Sequence, residues 1–539
     1  MSDTTVAEAI LQTLATAGVR TTFGLPGVHN LAFWEAAATG LPEIIGTRHE
    51  QTTVYAADGL ARAGGGLGVA LVTTGPGAAN AVGAFGEAAA SGSPVLLIAS
   101  DTSTRIARPG VVRGGLHESA DQGAMFGAFA KAVYQPRTGE EAIEAVARGA
   151  EIAMQWPRGP VYVGVPNDLL GQSGKPLAVA GPQRAAPRDA DLGAALDLIA
   201  QAQRIVLWVG GGAVQSGAAD EVASLAAKLA APVVTSWAGR GVVPAGSPWL
   251  IDVPPHEPEI TDLIGQADLM IAVGTAFDGP STMNWKLPVP AQLITINADP
   301  VDATKNYPAS VTLVADAREA VRALADGVQA RDGDPAAVGE LRERVRHRIA
   351  ADPDTSAAWQ LVTAIDAVVA GHDPVVVNDM AIPGYWVGGY ARIRAPRRLQ
   401  YPVGWGTLGY ALPAAVGAGA LRERPVLAVC GDGGFMFAVG ELAVLRQHDL
   451  PVTLLLVDDG GYGMLRFDQT VAGESHRGVD LVRPDFPMLA RSFGIECRTT
   501  DLPGLSDAID EALSTGGPRI VLLEQRLYPP ITVSPRWPR

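Results

Sequence analysis

Gly431-Asp432-Gly433-Gly434-Phe435 and Asp458-Asp459-Gly460-Gly461-Tyr462-Gly463 are the two turns from which the fold of this chain is read. Each follows a short apolar run, PVLAVC at 425–430 and PVTLLLV at 451–457. The intervening stretch 435–448, FMFAVGELAVLRQH, has its apolar residues at helical spacing and predicts one helix. The unit therefore reads strand, glycine turn, helix, strand, acidic turn. In a parallel sheet both turns fall at the carboxyl edge, where ligands bind. Gly431 and Gly433 would let main-chain N–H groups approach a phosphate at a helix N-terminus. Asp432 and Asp459 are hard oxygen ligands. With a main-chain carbonyl they predict Mg²⁺ or Ca²⁺ held by few protein groups, leaving room for phosphate oxygens.

Outward from that unit, composition narrows the class. At 539 residues the chain is too long for one core and predicts about three domains. Hydrophobic residues make up 47% and charged residues 18%, the balance of a folded globular protein. The net charge of −15 argues against nucleic acid or an anionic membrane as partner. Two cysteines, Cys430 and Cys497, support neither a disulfide framework nor a zinc site. No apolar run reaches membrane-spanning length, and the N-terminal segment MSDTTVAEAILQTLATAGV reads as a capped surface helix, not a signal peptide. The expectation is a cytoplasmic protein.

Three parallel α/β domains are expected. Strand runs at 21–25, 44–48, 68–74 and 94–100 alternate with helical patterns in a first domain spanning 1–170. A Pro/Gly/Ala-rich linker covers 171–188. The middle domain, 189–330, opens with a helix and carries strands at 205–209, 232–235, 269–273 and 293–296. A charged helical segment at 335–351 leads to the third domain, 356–539, with a strand at 374–377 ahead of the two acidic turns.

The GDG turn and the second acidic station resemble the signature of thiamin diphosphate (ThDP) enzymes. The domain order is similar to the pyruvate decarboxylase, acetolactate synthase and benzoylformate decarboxylase group over essentially the whole chain. The resemblance implies three doubly wound parallel-sheet domains: pyrimidine-binding, middle Rossmann-like and diphosphate-binding. It implies ThDP and Mg²⁺ as cofactors, with Asp432, Asp459 and the Gly461 main chain on the metal. Gly431, Gly433, Gly434, Asp379 and Tyr462 would border the diphosphate. The family's second station is usually a pair of Asn residues; this chain has Asp458-Asp459, which leaves about three negative charges in excess. Altered metal preference or pH dependence is expected there.

Glu50, in the run HEQTTVYAADGLARAGG, resembles the family glutamate that contacts the cofactor's aminopyrimidine ring. Read alone it is a carboxylate at a helix start, favoured by the helix dipole. The resemblance implies a weakly polar setting that favours its protonated form. The segment GWGTLGYALP resembles the one that bends the cofactor, with the Gly406 carbonyl toward the exocyclic amine and Leu408 as the apolar wedge. His29, in GLPGVHN, and His117, in GGLHESADQ, are candidate catalytic groups on the substrate side, Gln122 a further one. Thr73, Thr74 and the run GPGAAN resemble another wall of that site. Biosynthetic acetolactate synthases carry a Trp in the segment after the second station, where this chain reads Arg466-Phe467-Asp468.

The middle domain's Gly210 to Gly212, Gly274-Thr275-Ala276-Phe277-Asp278 and Asn297-Ala298-Asp299-Pro300 resemble flavin-binding members. Yet Ala276 and Gly279-Pro280 stand where cations are expected, so no tightly bound FAD is predicted. The expected activity is ThDP- and Mg²⁺-dependent decarboxylation of a small-molecule 2-oxo acid, with or without carboligation. The alternatives are a lyase that breaks C–C bonds without decarboxylation, a flavin-dependent 2-oxo acid oxidase, and a non-catalytic relative. By resemblance, Glu50 and the metal site meet between subunits of a homodimer or homotetramer.

Overall fold

The computed structural model describes residues 4–37, 41–108 and 110–532. Residues 1–3, at the start of the expected N-terminal helix, and 533–539, at the end of the expected third domain, lie outside them. That first helix is Val6–Thr16, closed by a capping box between Thr5 and Glu8.

The chain builds three all-parallel sheets. The first has strands Thr21–Gly24 (β1), Glu43–Gly46 (β2), Gly68–Val72 (β3), Val95–Asp101 (β4), Ala132–Tyr134 (β5) and Val161–Pro166 (β6), in the order β2-β1-β3-β4-β6-β5. The second comprises Ile205–Val209 (β7), Val233–Thr235 (β8), Leu269–Val273 (β9), Gln292–Asn297 (β10) and Val311–Val314 (β11), ordered β11-β10-β9-β7-β8. The third holds Val375–Asn378 (β12), Leu399–Gln400 (β13), Val426–Gly431 (β14), Val452–Asp458 (β15), Glu496–Thr500 (β16) and Arg519–Glu524 (β17), ordered β13-β12-β14-β15-β17-β16. The central strands β3, β4, β9, β14 and β15 are runs of Val, Leu, Ile and Ala, buried nearly end to end because helices cover both faces. Each sheet's order reverses direction near its middle, which opens a crevice at the carboxyl edge.

Pairing register brings the two acidic turns together. β14 and β15 are hydrogen-bonded neighbours with Gly431 opposite Val457, so Asp432 and Asp458-Asp459 leave the sheet side by side.

The expected single helix at 435–448 is broken. Asp432–Phe435 is one helical turn, Met436–Glu441 is 3₁₀, and Leu442–His448 is α-helical, with Ala438 off helical geometry at φ −131° and ψ 21°. Gly433, Gly434 and Gly440 lend this stretch little helical propensity. The Glu441 carboxylate is also bonded to the main chain of another domain, which holds the chain off a continuous helical path.

The first and third domains share a core. Helix Glu50–Gly64 lies against helix Ala411–Ala420, and this contact needs glycine: a Cβ at Gly59 would overlap the Ala414 carbonyl, and one at Gly417 the Ala56 carbonyl. Phe85, Phe126, Tyr162, Tyr410 and Phe435 join one buried cluster across this seam. A second cluster joins the middle and third domains through Trp208, Trp386 and Tyr390.

Candidate active site

Asp432 starts the helical turn after β14, and its side chain is 4% exposed. Burial and the nearby charges of Asp459 and Asp458 push its pKa up to about 7. Three carboxylates crowding one turn call for a cation. Asp458 is answered by Arg483, whose Nη1 is 2.9 Å from Oδ2. Asp459 is answered by Arg466, with Nη1 3.6 Å from Oδ1 and donating to the Asp459 carbonyl at 3.2 Å. The Asp459 Oδ1 is nevertheless buried without a hydrogen-bond partner. Burial raises the Asp459 pKa, opposed by Arg466. The excess charge expected from the sequence is thus offset by two arginines, one on the helix Gly463–Val471 and one further along the chain.

Gly461 is tied by a bridge to Asp480, and its carbonyl oxygen lies 3.6 Å from where a Cβ of Gly433 would stand. The Tyr462 ring lies 2.7 Å from that same point. Gly431 caps the Asp432 turn with no side-chain bond, the Gly433 amide bonds the Asp432 carboxylate, and Gly431, Gly433 and Gly434 border an open cleft. These residues, with Asp459, Gly461, Tyr462, Met464, Leu465 and Leu408, line a cleft of about 120 Å³. No cluster of three or more His, Cys, Asp or Glu side chains is arranged as a metal site among the described residues. Two carboxylates and a carbonyl are an incomplete cation shell that needs further oxygens, as a diphosphate provides. A buried carboxylate oxygen without a hydrogen-bond donor, crowded acids and a glycine cradle fit a metal-diphosphate group.

Asp379 lies against the glycine turn, its Oδ2 2.9 Å from where a Cβ of Gly434 would stand, and it also braces a neighbouring turn. Its buried carboxylate accepts main-chain N–H groups from Met380 at 2.8 Å and Gly409 at 2.9 Å. Burial raises its pKa to about 6 against those bonds. It therefore holds the turn carrying Gly406 and Leu408. Gly406 and Gly409 both have φ of +77°, which L-side chains rarely adopt. The same turn is pinned to the first domain by Trp405, whose ring is 3.0 Å from a Cβ position at Gly86, and by Thr407, whose hydroxyl is 2.9 Å from the Tyr55 phenol.

The first-domain residues gather elsewhere. Glu50 opens its helix half-buried, and its Oε2 accepts from Asn80 Nδ2 at 3.0 Å. A Cβ at Gly77 would lie 3.4 Å from its Oε1. His29 and His117 meet edge to face, ring centroids 5.3 Å apart, each with a buried Nδ1 lacking a partner. Burial, then the His117 charge, lowers the His29 pKa. His117 holds φ of +62° and lies against Gly75, bringing this pair to the loop that reaches Gly77 and Glu50. Gln122 and Glu118 serve the framework: Gln122 accepts from the Gly75 amide at 2.6 Å and donates to Ser100 and Tyr162, and Glu118 accepts amides of Arg113 and Gly115. The candidate residues thus fall into two separate groups, two candidate half-sites. None of the residues lining the glycine cleft belongs to the first domain.

Asn80, Arg466 and Arg483 carry more of the site than the sequence reading gave them. Asn80 had a signal, the GPGAAN loop; the two arginines had none beyond a positive charge near an acidic turn.

Residues 4–125 match the family described as thiamine pyrophosphate enzyme, N-terminal TPP binding domain; residues 192–324 match its central domain and 379–523 its C-terminal TPP binding domain. The chain belongs to the thiamine pyrophosphate enzyme family. Among curated members it is 36% identical to the probable 2-ketoarginine decarboxylase AruI of Pseudomonas aeruginosa, over 97% of this chain and 94% of that protein. It is 29% identical to the probable acetolactate synthase large subunit of Methanocaldococcus jannaschii, over 96% and 91%. It is also 29% identical to the acetolactate synthase isozyme 2 large subunit of Escherichia coli, over 96% and 94%. The three family regions fall one on each sheet, so this is a ThDP-dependent enzyme of the decarboxylase and acetolactate synthase group.

Proposed function

We propose that the enzyme decarboxylates a 2-oxo acid using ThDP and Mg²⁺. The single observation that carries this is the crowding of buried Asp432 against Asp459, which with Gly461 borders a glycine-lined cleft at the carboxyl edge of the third sheet. When bound, ThDP supplies a carbanion equivalent that adds to the 2-oxo carbon and holds the electrons left by departing CO₂. Asp432, Asp459 and the Gly461 carbonyl would hold the metal, and Gly431, Gly433 and Gly434 would present N–H groups to the diphosphate. Leu408 and the Gly406 turn shape the cleft wall, held there by Asp379. Glu50 is the group that holds and returns a proton at the aminopyrimidine. His29 and His117, whose buried Nδ1 atoms have no protein partner, would pass a proton to or from the reacting substrate.

The half-sites need each other, and exposed apolar side chains flank both. Val28 is 66% and Leu116 65% exposed beside the first; Phe437 is 52% exposed and Leu465 51% beside the second. A homodimer, or a pair of them, that joins the two halves covers these groups.

For the substrate, the relative named a 2-ketoarginine decarboxylase makes a cationic 2-oxo acid the first to try. CO₂ release and product identification across 2-oxo acids with basic, aliphatic and aromatic side chains, with and without an aldehyde acceptor, test this reading. Absence of CO₂ from every substrate overturns it in favour of a non-decarboxylating lyase or a non-catalytic relative.

FAD is not part of the proposal. A crevice of about 510 Å³ does open at the carboxyl edge of the middle sheet, bordered by Gly211, Gly212, Gly274 and Asn297. Its cations, Arg62, Lys131, Arg158 and Arg397, come from other domains and are engaged there: Arg62 with Asp58 and Glu87, Lys131 with the Ile152 and Gln155 carbonyls, Arg158 with that of Gly65, and Arg397 with those of Arg62 and Gln215. Purified protein should show no stoichiometric absorption band near about 450 nm. No helix among the described residues is long and apolar enough to cross a membrane; a cytoplasmic location belongs to this proposal.

A further inference from the structure

Glu441 ends the 3₁₀ segment that follows the Asp432 turn. It is 1% exposed, and both carboxylate oxygens reach the main chain of the first domain: the Arg48 amide donates to Oε1 at 3.1 Å and to Oε2 at 3.2 Å. Burial pushes its pKa up to about 7, opposed by the Arg48 and His49 amides and the Arg48 charge. Arg48 and His49 immediately precede Glu50, and His49 is the N-cap of the helix that Glu50 opens. The grip has further points. Gln447 Oε1 accepts from Arg48 Nη2 at 2.7 Å, and His448 Nδ1 lies 3.9 Å from Glu43 on β2. One short stretch of the third domain, 441–448, thus clasps the turn from which Glu50 projects.

We propose that Glu441 is a positioning residue for Glu50, a strut that transmits the placement of the Asp432 turn to the carboxyl group of the first domain. A buried third-domain carboxylate held on the first domain's main chain, beside a glycine-weakened helix, has a geometric task that packing alone does not require. Helix N-terminal amides need acceptors, and here the acceptor is delivered from the metal-bearing segment. Glutamine at 441 keeps the shape, loses the charge, and turns a donor toward the amides it should receive.

The inference rests on Glu50 acting on the cofactor, and its test separates the two ideas. In cofactor-free protein, Glu441→Gln should speed amide hydrogen exchange at Arg48 and His49 by about tenfold, with β14 and β15 amides unchanged. In the loaded enzyme, kcat should fall about 10- to 100-fold while ThDP and Mg²⁺ affinities stay within about twofold. Glu441→Asp, which keeps the charge, should recover part of kcat and also stands in if the Gln variant does not fold. In a Glu50→Gln background, Glu441→Gln should add no further loss. Unchanged exchange at Arg48 and His49, or losses that simply multiply in the double variant, overturns the strut. A fully active Glu50→Gln enzyme overturns the role of Glu50 itself, so the two failures are read apart.

Discussion

Asp459 was legible from the sequence as a departure, and the structure supplies its counterweight. Arg466 lies seven residues on, across a turn and into a helix, a spacing that no sequence rule flags as a pair. Each is half of a charge balance, so neither should be changed alone. Asp459→Asn removes a negative charge from the proposed cation shell and leaves the buried Arg466 with Asp480 as its remaining carboxylate partner. Mg²⁺ affinity in a ThDP-binding titration should fall by about tenfold, and adding Arg466→Gln should recover most of it. Asp432 carries the opposite trade. Its folded-state pKa, about 7, lies above the roughly 3.9 of an unfolded aspartate. The folded protein then holds a proton that the unfolded chain has released, so stability drops as pH rises from about 4 toward about 7. In metal-chelated, cofactor-free protein, Asp432→Asn should therefore be more stable than the parent at pH 8 by about 1 kcal/mol. The difference should shrink near pH 5, where the parent Asp432 is protonated. Denaturant titrations at the two pH values check this, and Mg²⁺-dependent activity should be lost.

At the scale of elements, apolar runs bounded by turns gave most of the central strands to within a residue: β7 and β9 appear as read, and β14 and β15 shifted by one. The strands that went unread are mainly edge strands or short. β13 has two residues, β5 has three, and β16 reads ECRTT with little burial. Such strands are made by their neighbours, not by their own pattern. Two central strands, β6 and β17, were also passed over, although VYVGVP and RIVLLE are apolar enough to have been read. The broken helix after Asp432 was misread because its apolar spacing is helical while its glycines and the Glu441 bonds work against it. Helix Ala411–Ala420 shows how much an element can depend on one missing side chain. Gly417→Val would drive branched carbon into the Ala56 carbonyl and force the helix pair apart. A loss of about 1–3 kcal/mol in denaturant unfolding is expected, with activity falling because the Gly406–Leu408 turn leads into this helix.

For the whole molecule, the three parallel-sheet domains were readable from local patterns, and the two groups of candidate residues came from motifs, since each motif is local. How the halves relate was not, because no local pattern records which surface faces which. Phe437 is a direct probe. It is 52% exposed beside Gly409 on the metal half, and Phe437→Asp should leave the chain folded while shifting sedimentation toward the monomer and cutting activity about 100-fold or more. If Phe437→Asp sediments as the parent does, the proposed joining surface is elsewhere. The glycine-lined helix pair carries one more implication, about time. Helix Glu50–Gly64 emerges early from the ribosome, and its partner Ala411–Ala420 only after the entire middle sheet has been made. Until then its tightly fitted face has nothing to bury against, and closing so long a loop comes late. The nascent chain therefore passes through a long interval with an alanine- and glycine-rich face open to wrong partners, and yield in the cell should depend on how fast translation crosses the middle domain.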